Sequence, residues 1–153
     1  MVRPGELLGA AWSELSMDSK VWIIPASRMK AGREHIVPLS PQAVTLFQQA
    51  KGMTDSPWIF PSRYKAGQHV QPRNATRGLT AMGYGGRLTA HGIRSLMATL
   101  LISKGYSIDV VDAALAHEQS KVRRAYFRYP DLSSRRAMFE DLGNHLETLG
   151  LCL

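Results

Sequence analysis

Residues 20–40, KVWIIPASRMKAGREHIVPLS, decide the fold. Two short runs rich in β-branched and aromatic residues, KVWIIPA and REHIVPLS, flank the polar stretch SRMKAG, and that order predicts an antiparallel hairpin with Lys30 in its turn. On the N-terminal side, GELLGAAWSEL (5–15) repeats Leu7, Leu8, Ala11, Trp12 and Leu15 at helical spacing, which predicts a helix. On the C-terminal side, SPQAVTLFQQAKG (40–52) has a serine cap, a first-turn proline and a closing glycine, the marks of a second helix. SPWIFPS (56–62) reads as a third strand, and RYKAGQHVQP (63–72) as a polar loop. After Pro72 the pattern is helical, over about 72–82, 90–104, 107–115, 118–127 and 131–149, with breaks at GYGGR, KGYS and YPDLS. The expected class is α+β, predominantly α, with a small three-stranded antiparallel sheet.

Composition bounds the partner. The 153 residues suit one ordinary domain, and 44% hydrophobic residues suffice for a core. Nineteen Lys+Arg against twelve Asp+Glu leave +7, which favours a polyanion, nucleic acid first. The only cysteine, Cys152, allows no intrachain disulfide and no cysteine zinc site. Apolar runs such as LMATLLI are too short to span a membrane, and no secretory signal opens the chain, so the reading is a cytoplasmic protein with no membrane partner.

Two local patterns carry chemistry. TAHGIRSL (89–96) opens with a cap and sets His91 and Arg94 about one turn apart, so both point to one side of a helix. Such a pair is a solvated face, a satisfied core pair, or two fingers of an anion site. HEQSKVRRAYFR (117–128) gathers Lys121, Arg123, Arg124 and Arg128 around Tyr126, either a solvated face or a surface along a phosphate backbone.

Taken together, VRPGEL with Arg3, MKAGREHIVPLS with Lys30, HGIR with His91 and Arg94, and LAHEQSKVRRAY with His117 and Tyr126 resemble the boxes of the tyrosine recombinase, or phage-type integrase, family, in particular integrases of prophages and genomic islands. The resemblance runs over essentially the whole chain as that family's catalytic domain. It implies the DNA breaking–rejoining fold and site-specific integration or excision through a 3′-phosphotyrosine. Tyr126 is then the nucleophile, nine residues after His117, with Tyr129 as the competing choice. Arg3 and Arg94 bind the non-bridging phosphate oxygens, Lys30 protonates the leaving 5′ oxygen, and His91 and His117 donate to phosphate or move the tyrosine proton. Glu6 supports the arginines, its other reading being a dipole-favoured glutamate in a first turn. Arg33, Lys121, Arg123, Arg124 and Arg128 are the expected DNA contacts; His35 and His69 are read as DNA-facing or surface residues without a catalytic role. The scheme requires no metal or other cofactor, and its partner is double-stranded DNA, engaged by a homotetramer.

The chemistry explains why these residue types belong together. Breaking a phosphodiester without hydrolysis needs a nucleophile that keeps the strand covalently attached, and guanidinium forks suit the charge spread over the phosphate oxygens.

Two departures from the family pattern stand out. Ala116 replaces the glycine common before the histidine, and Met1 stands two residues before Arg3, so the helices and DNA-gripping domain that precede this arginine in the family are expected to be missing and the chain is read as a truncated domain. A fragment of that kind could act only as a DNA-binding or assembly module. A metal nuclease built on His35, His69, His91 and His117 is the remaining class, and neither an HExxH motif nor clustered carboxylates support it. The last segment, 131–153, sets Met138, Phe139, Leu142, Leu146 and Leu149 in one apolar stripe, expected to pack on the domain in its first turns and to self-associate weakly over 144–153.

Overall fold

The computed structural model describes residues 1–117 and 131–151. Its helices are α1 (Pro4–Leu8), α2 (Pro41–Lys51), α3 (Arg73–Leu79), α4 (Ala90–Ser103), α5 (Ile108–Ala114) and α6 (Leu132–Thr148). Its strands are β1 (Leu15–Ser16), β2 (Val21–Ile24) and β3 (His35–Pro38), in one antiparallel sheet of order β1-β2-β3. The predicted fold class holds, and the hairpin pairs Val21 with Pro38 and Ile24 with His35. The helix expected over 118–127 lies outside the described residues.

The third strand is not where the sequence placed it. Pro57 and Pro61 each remove a backbone donor from 56–62, and the segment makes only the isolated bridges Ala11–Trp58 and Pro61–His69. The strand that pairs with β2 comes instead from the end of the segment read as a helix. That helix stops after Leu8 because the chain turns at Gly9, where a side-chain carbon would meet the Arg28 guanidinium at 3.1 Å. Ala10 is then fully buried, Trp12–Glu14 makes a single 3₁₀ turn, and Leu15 pairs with Trp22. The apolar spacing was real, but it is used by a packed loop and a strand rather than by one helical face.

The core joins sheet to helices: Trp22, Ile24, Val37 and Leu39 pack against Leu101, Val111, Met138, Phe139 and Leu142. The serine cap of α2 is as read, Ser40 Oγ accepting the Ala43 N–H at 3.3 Å. Met138, Phe139 and Leu142 are buried, as expected for the first turns of the C-terminal stripe, whereas Leu149 is 70% exposed. Gly143 marks the closest approach of α6 to α2, since a side-chain carbon there would fall 2.1 Å from Gln42 Oε1. The apolar cavity beneath α1, about 340 Å³, is lined by Leu7, Trp22, Phe47, Ile93 and Met97 among others.

Candidate active site

Arg3 immediately precedes α1, and Glu6, 5% exposed, turns back on it. The Glu6 carboxylate accepts the Arg3 backbone N–H at 2.7 Å and its guanidinium N–H at 2.8 Å. One carboxylate therefore caps the helix and aims the arginine. The first-turn capping reading of Glu6 matches this geometry, and the same carboxylate also bonds the Arg3 side chain.

The hairpin is tied to the same helix. Arg28 donates to Glu14 at 2.6 Å and to the main-chain carbonyl of Glu6, and Trp22 Nε1 donates to Glu14 at 2.9 Å. These bonds fix the base of the turn relative to Arg3. Lys30 is exposed beyond the buried anchor Met29, in a turn closed by the Gly32 N–H on the Met29 carbonyl at 3.0 Å.

His91 and Arg94 lie on α4 but at different depths. Thr89 caps the helix, its hydroxyl accepting the Gly92 N–H at 2.9 Å, and leaves His91 exposed in the first turn. Arg94, one turn on, is 6% exposed and donates to the main-chain carbonyls of Met1 and Leu115. Burial lowers its pKa, the Arg3 charge lowers it further, and Glu6 opposes both. Two guanidinium groups close enough to repel, with the repulsion partly offset by the Glu6 carboxylate bonded to Arg3, form a site that gains by taking up an anion.

The third corner is the end of α5. His117 is half exposed, and its Nδ1 lies 2.9 Å from Asp112 Oδ1, five residues back. The residue before it, Ala116, has φ +50, the left-handed region that glycine enters without penalty. The exchange of glycine for alanine noted in the sequence thus falls where the backbone conformation favours a glycine.

His35 corrects the sequence reading. It is neither DNA-facing nor at the surface: it is 5% exposed on β3, and its Nε2 lies 3.2 Å from the Ala114 carbonyl. Together with Arg33, Ala116, His117 and Arg135 it lines a cavity of about 310 Å³ between the hairpin and the end of α5. His69 is half-buried, edge-on to Trp58 with ring centres 5.1 Å apart, and has a packing role.

The structure thus brings Arg3, Glu6 and Arg94 together, links them to the His117 turn through the Leu115 carbonyl, and sets Arg33 at the cavity beside His117. Lys30 and His91 are exposed. Tyr126, Tyr129, Lys121, Arg123, Arg124 and Arg128 lie outside the described residues. Sequence reading missed a second basic surface: exposed Lys65, Arg73 and Arg77, with His69, line a cavity of about 500 Å³. The four-residue step between Arg73 and Arg77 on a helix was the available signal. Among the described residues no group of His, Cys, Asp or Glu is arranged to hold a metal ion, and no helix is long and apolar enough to cross a membrane.

Residues 1–131 match the model of the phage integrase family. The chain belongs to that family. Among its relatives, it is 40% identical over 142 residues to the prophage integrase IntA of Escherichia coli K12, covering 92% of this chain and 34% of IntA. It is 34% identical over 164 residues to the integrase of Enterobacteria phage P4, covering 95% of this chain and 37% of that protein. The chain therefore spans about a third of the length of these relatives. Among solved structures, the integrase from mycobacterium phage Brujita superimposes with a TM-score of 0.69 at 20% identity, over 92% of this chain and 46% of that one. The Tn1549 transposon integrase, solved with a circular-intermediate DNA, gives a TM-score of 0.61 at 15% identity, over 92% of this chain and 54% of that one. Both place this integrase chain in the same fold.

Proposed function

We propose that residues 1–153 form the single catalytic domain of a site-specific tyrosine recombinase that cuts and rejoins double-stranded DNA during integration or excision of a mobile element. The observation that carries this reading is the buried Arg94, near enough to Arg3 and Glu6 to feel both charges and bonded to the turn that bears His117. A surface that only gripped DNA would need exposed cations, not a desolvated arginine with main-chain anchors, so a binding module without turnover fits less well.

In the proposed step the Tyr126 oxygen attacks phosphorus, a phosphotyrosine bond forms and the bond to the 5′ oxygen breaks. Arg94 uses two of its five N–H groups on carbonyls, which leaves others for the phosphate oxygens, and Arg3 supplies the second fork. Lys30, exposed at the turn, gives its proton to the departing 5′ oxygen. The tyrosine proton leaves through His117 or His91. Rejoining reverses each transfer, so no redox partner or metal enters. Arg33 and the 121–128 cations hold the backbone on either side. The Tn1549 transposon integrase was solved with a circular-intermediate DNA, and we place the working protein in the cytoplasm as a tetramer on paired DNA sites.

Tyr126→Phe should abolish the covalent protein–DNA adduct on a nicked duplex while leaving DNA affinity within about twofold, because only one hydroxyl is lost. An adduct that survives there and disappears in Tyr129→Phe would move the nucleophile. Lys30→Ala should lose cleavage and regain most of it on a substrate whose bridging 5′ oxygen is sulfur, which leaves without a proton. Equal loss on both substrates would make Lys30 a backbone contact.

A further inference from the structure

The C-terminal end of α5 has a donor for every one of its last carbonyls. Asp112 O accepts the His117 N–H at 3.0 Å, and Ala113 O accepts the Ala116 N–H at 3.2 Å, the paired bonds of a Schellman ending. Leu115 O accepts from Arg94, and Ala114 O lies 3.2 Å from His35 Nε2. A carbonyl can only accept, so His35 carries its proton on Nε2. Two of the four bonds are local to the helix; the other two come from β3 and α4.

We propose that His35 is a positioning residue for His117: its bond to Ala114 O clamps the last turn of α5 to the hairpin strand and so fixes where His117 stands. The bond is made three residues before His117, within a turn whose left-handed Ala116 does not favour its own conformation. Without the clamp, that turn has a ready way to relax, and His117 moves with it. His35 also faces the charged groups Arg135 on α6, Glu6 on α1 and Arg94 on α4. Burial is the largest cause that lowers its pKa, and the Ala114 bond opposes it; Nε2 carries a proton in the neutral and the charged ring alike, so the bond is available to both.

What His117 does to DNA rests on the recombinase reading; the clamp itself does not. The test compares His35→Leu, which fills the space without a donor, with His35→Gln, whose side-chain N–H reaches nearly as far as Nε2. His35→Asn, too short to reach, serves if the leucine variant fails to fold. In the ¹⁵N-labelled chain, the donor-less variant should speed exchange of the His117 amide by at least about tenfold and change the ring ¹⁵N shifts that report its bond to Asp112. The glutamine variant should restore both. On nicked duplex DNA, single-turnover cleavage should fall about 10- to 100-fold in His35→Leu and recover in His35→Gln, with DNA affinity within about twofold. Unchanged His117 signals in a folded His35→Leu or His35→Asn protein, or no recovery with glutamine, would overturn the proposal. Intact clamp signals with no cleavage by the unsubstituted chain would count instead against the recombinase reading.

Discussion

At the end of α4, the Tyr106 N–H bonds Leu101 O at 3.1 Å and the Gly105 N–H bonds Ile102 O at 3.0 Å, around a glycine with φ +92. At the end of α6, Leu151 bonds Leu146 O and Gly150 bonds Glu147 O, both at 3.0 Å, around a glycine with φ +96. The end of α5 repeats the pair of bonds around Ala116. The extra donors differ as well. Ser103 and Thr148 serve carbonyls of their own helices, each at 2.7 Å, whereas the carbonyls of α5 draw on Arg94, 21 residues away, and His35, 79 residues away. Two helices end by local means. The third, which delivers His117, ends by long-range contacts and accepts an unfavourable backbone. A helix end that other elements hold in place does not need its best capping residue.

The largest expected break in this comparison is Arg94→Ala. It strips the Leu115 and Met1 carbonyls of their donor in a buried setting, which costs about 2–4 kcal/mol. Ser103→Ala and Thr148→Ala, at the locally solved ends, should stay within about 0.5 kcal/mol. Urea unfolding of the three variants decides it, and an Arg94 cost under about 1 kcal/mol would show that the α5 end does not depend on distant donors.

Next in size is Gly105→Ala. There is open space around the missing side chain, so the cost is the left-handed backbone alone, about 1 kcal/mol, or roughly 2–4 °C in Tm. Gly150→Ala carries the same backbone penalty but should lower Tm less, because the exposed last turn of α6 can unwind and escape it. Equal losses would mean that both ends are held equally.

The same contrast explains what could be read from the sequence. Gly105 was legible as a break, and Ser40 and Thr89 as caps, because a local rule acts on adjacent residues. Arg94 was singled out as a candidate through its place in the HGIR box. Its bond to Leu115 O was not, nor was the burial of His35, because both depend on how β3 and α4 pack on α5. The misplaced third strand has the same origin: Leu15 repeats with Leu8 and Trp12 at helical spacing, and only the packing of Ala10 and the pairing with Trp22 turn it into a strand. The exchange at position 116 was visible, but its consequence needed the φ of +50.

Ala116→Gly should raise stability by about 0.5–1 kcal/mol, or roughly 2 °C in Tm. The gain is below the full left-handed penalty because glycine also loses more freedom on folding. The variant sharpens the comparison when combined with the clamp: in an Ala116→Gly background, His35→Leu should disturb the His117 amide less than it does beside alanine, since the turn then holds itself. Additive effects would show that the residue at 116 and the clamp act independently.

The smallest effect is a dependence on pH that separates the two ends of the helical layer. His35 has its folded pKa lowered, chiefly by burial, so the unfolded chain takes up the proton first. Its contribution to stability is complete above the ordinary histidine value of about 6.5 and is lost as pH falls below it. Asp131, which caps α6, is held at about 2, first by the Ser134 backbone N–H, so its contribution is complete above 3.8 and is lost as pH falls toward 2. Two windows therefore follow one another, and substitution identifies each of them. His35→Gln should flatten the slope of unfolding free energy between about pH 6.5 and 5 while leaving the acid limb intact. Asp131→Asn should flatten only the acid limb, since asparagine still accepts the Ser134 N–H but cannot titrate. If His35→Gln leaves the slope between pH 6.5 and 5 unchanged, the imidazole is not desolvated in the folded protein, and the α5 end is more open to water than its four bonded carbonyls imply.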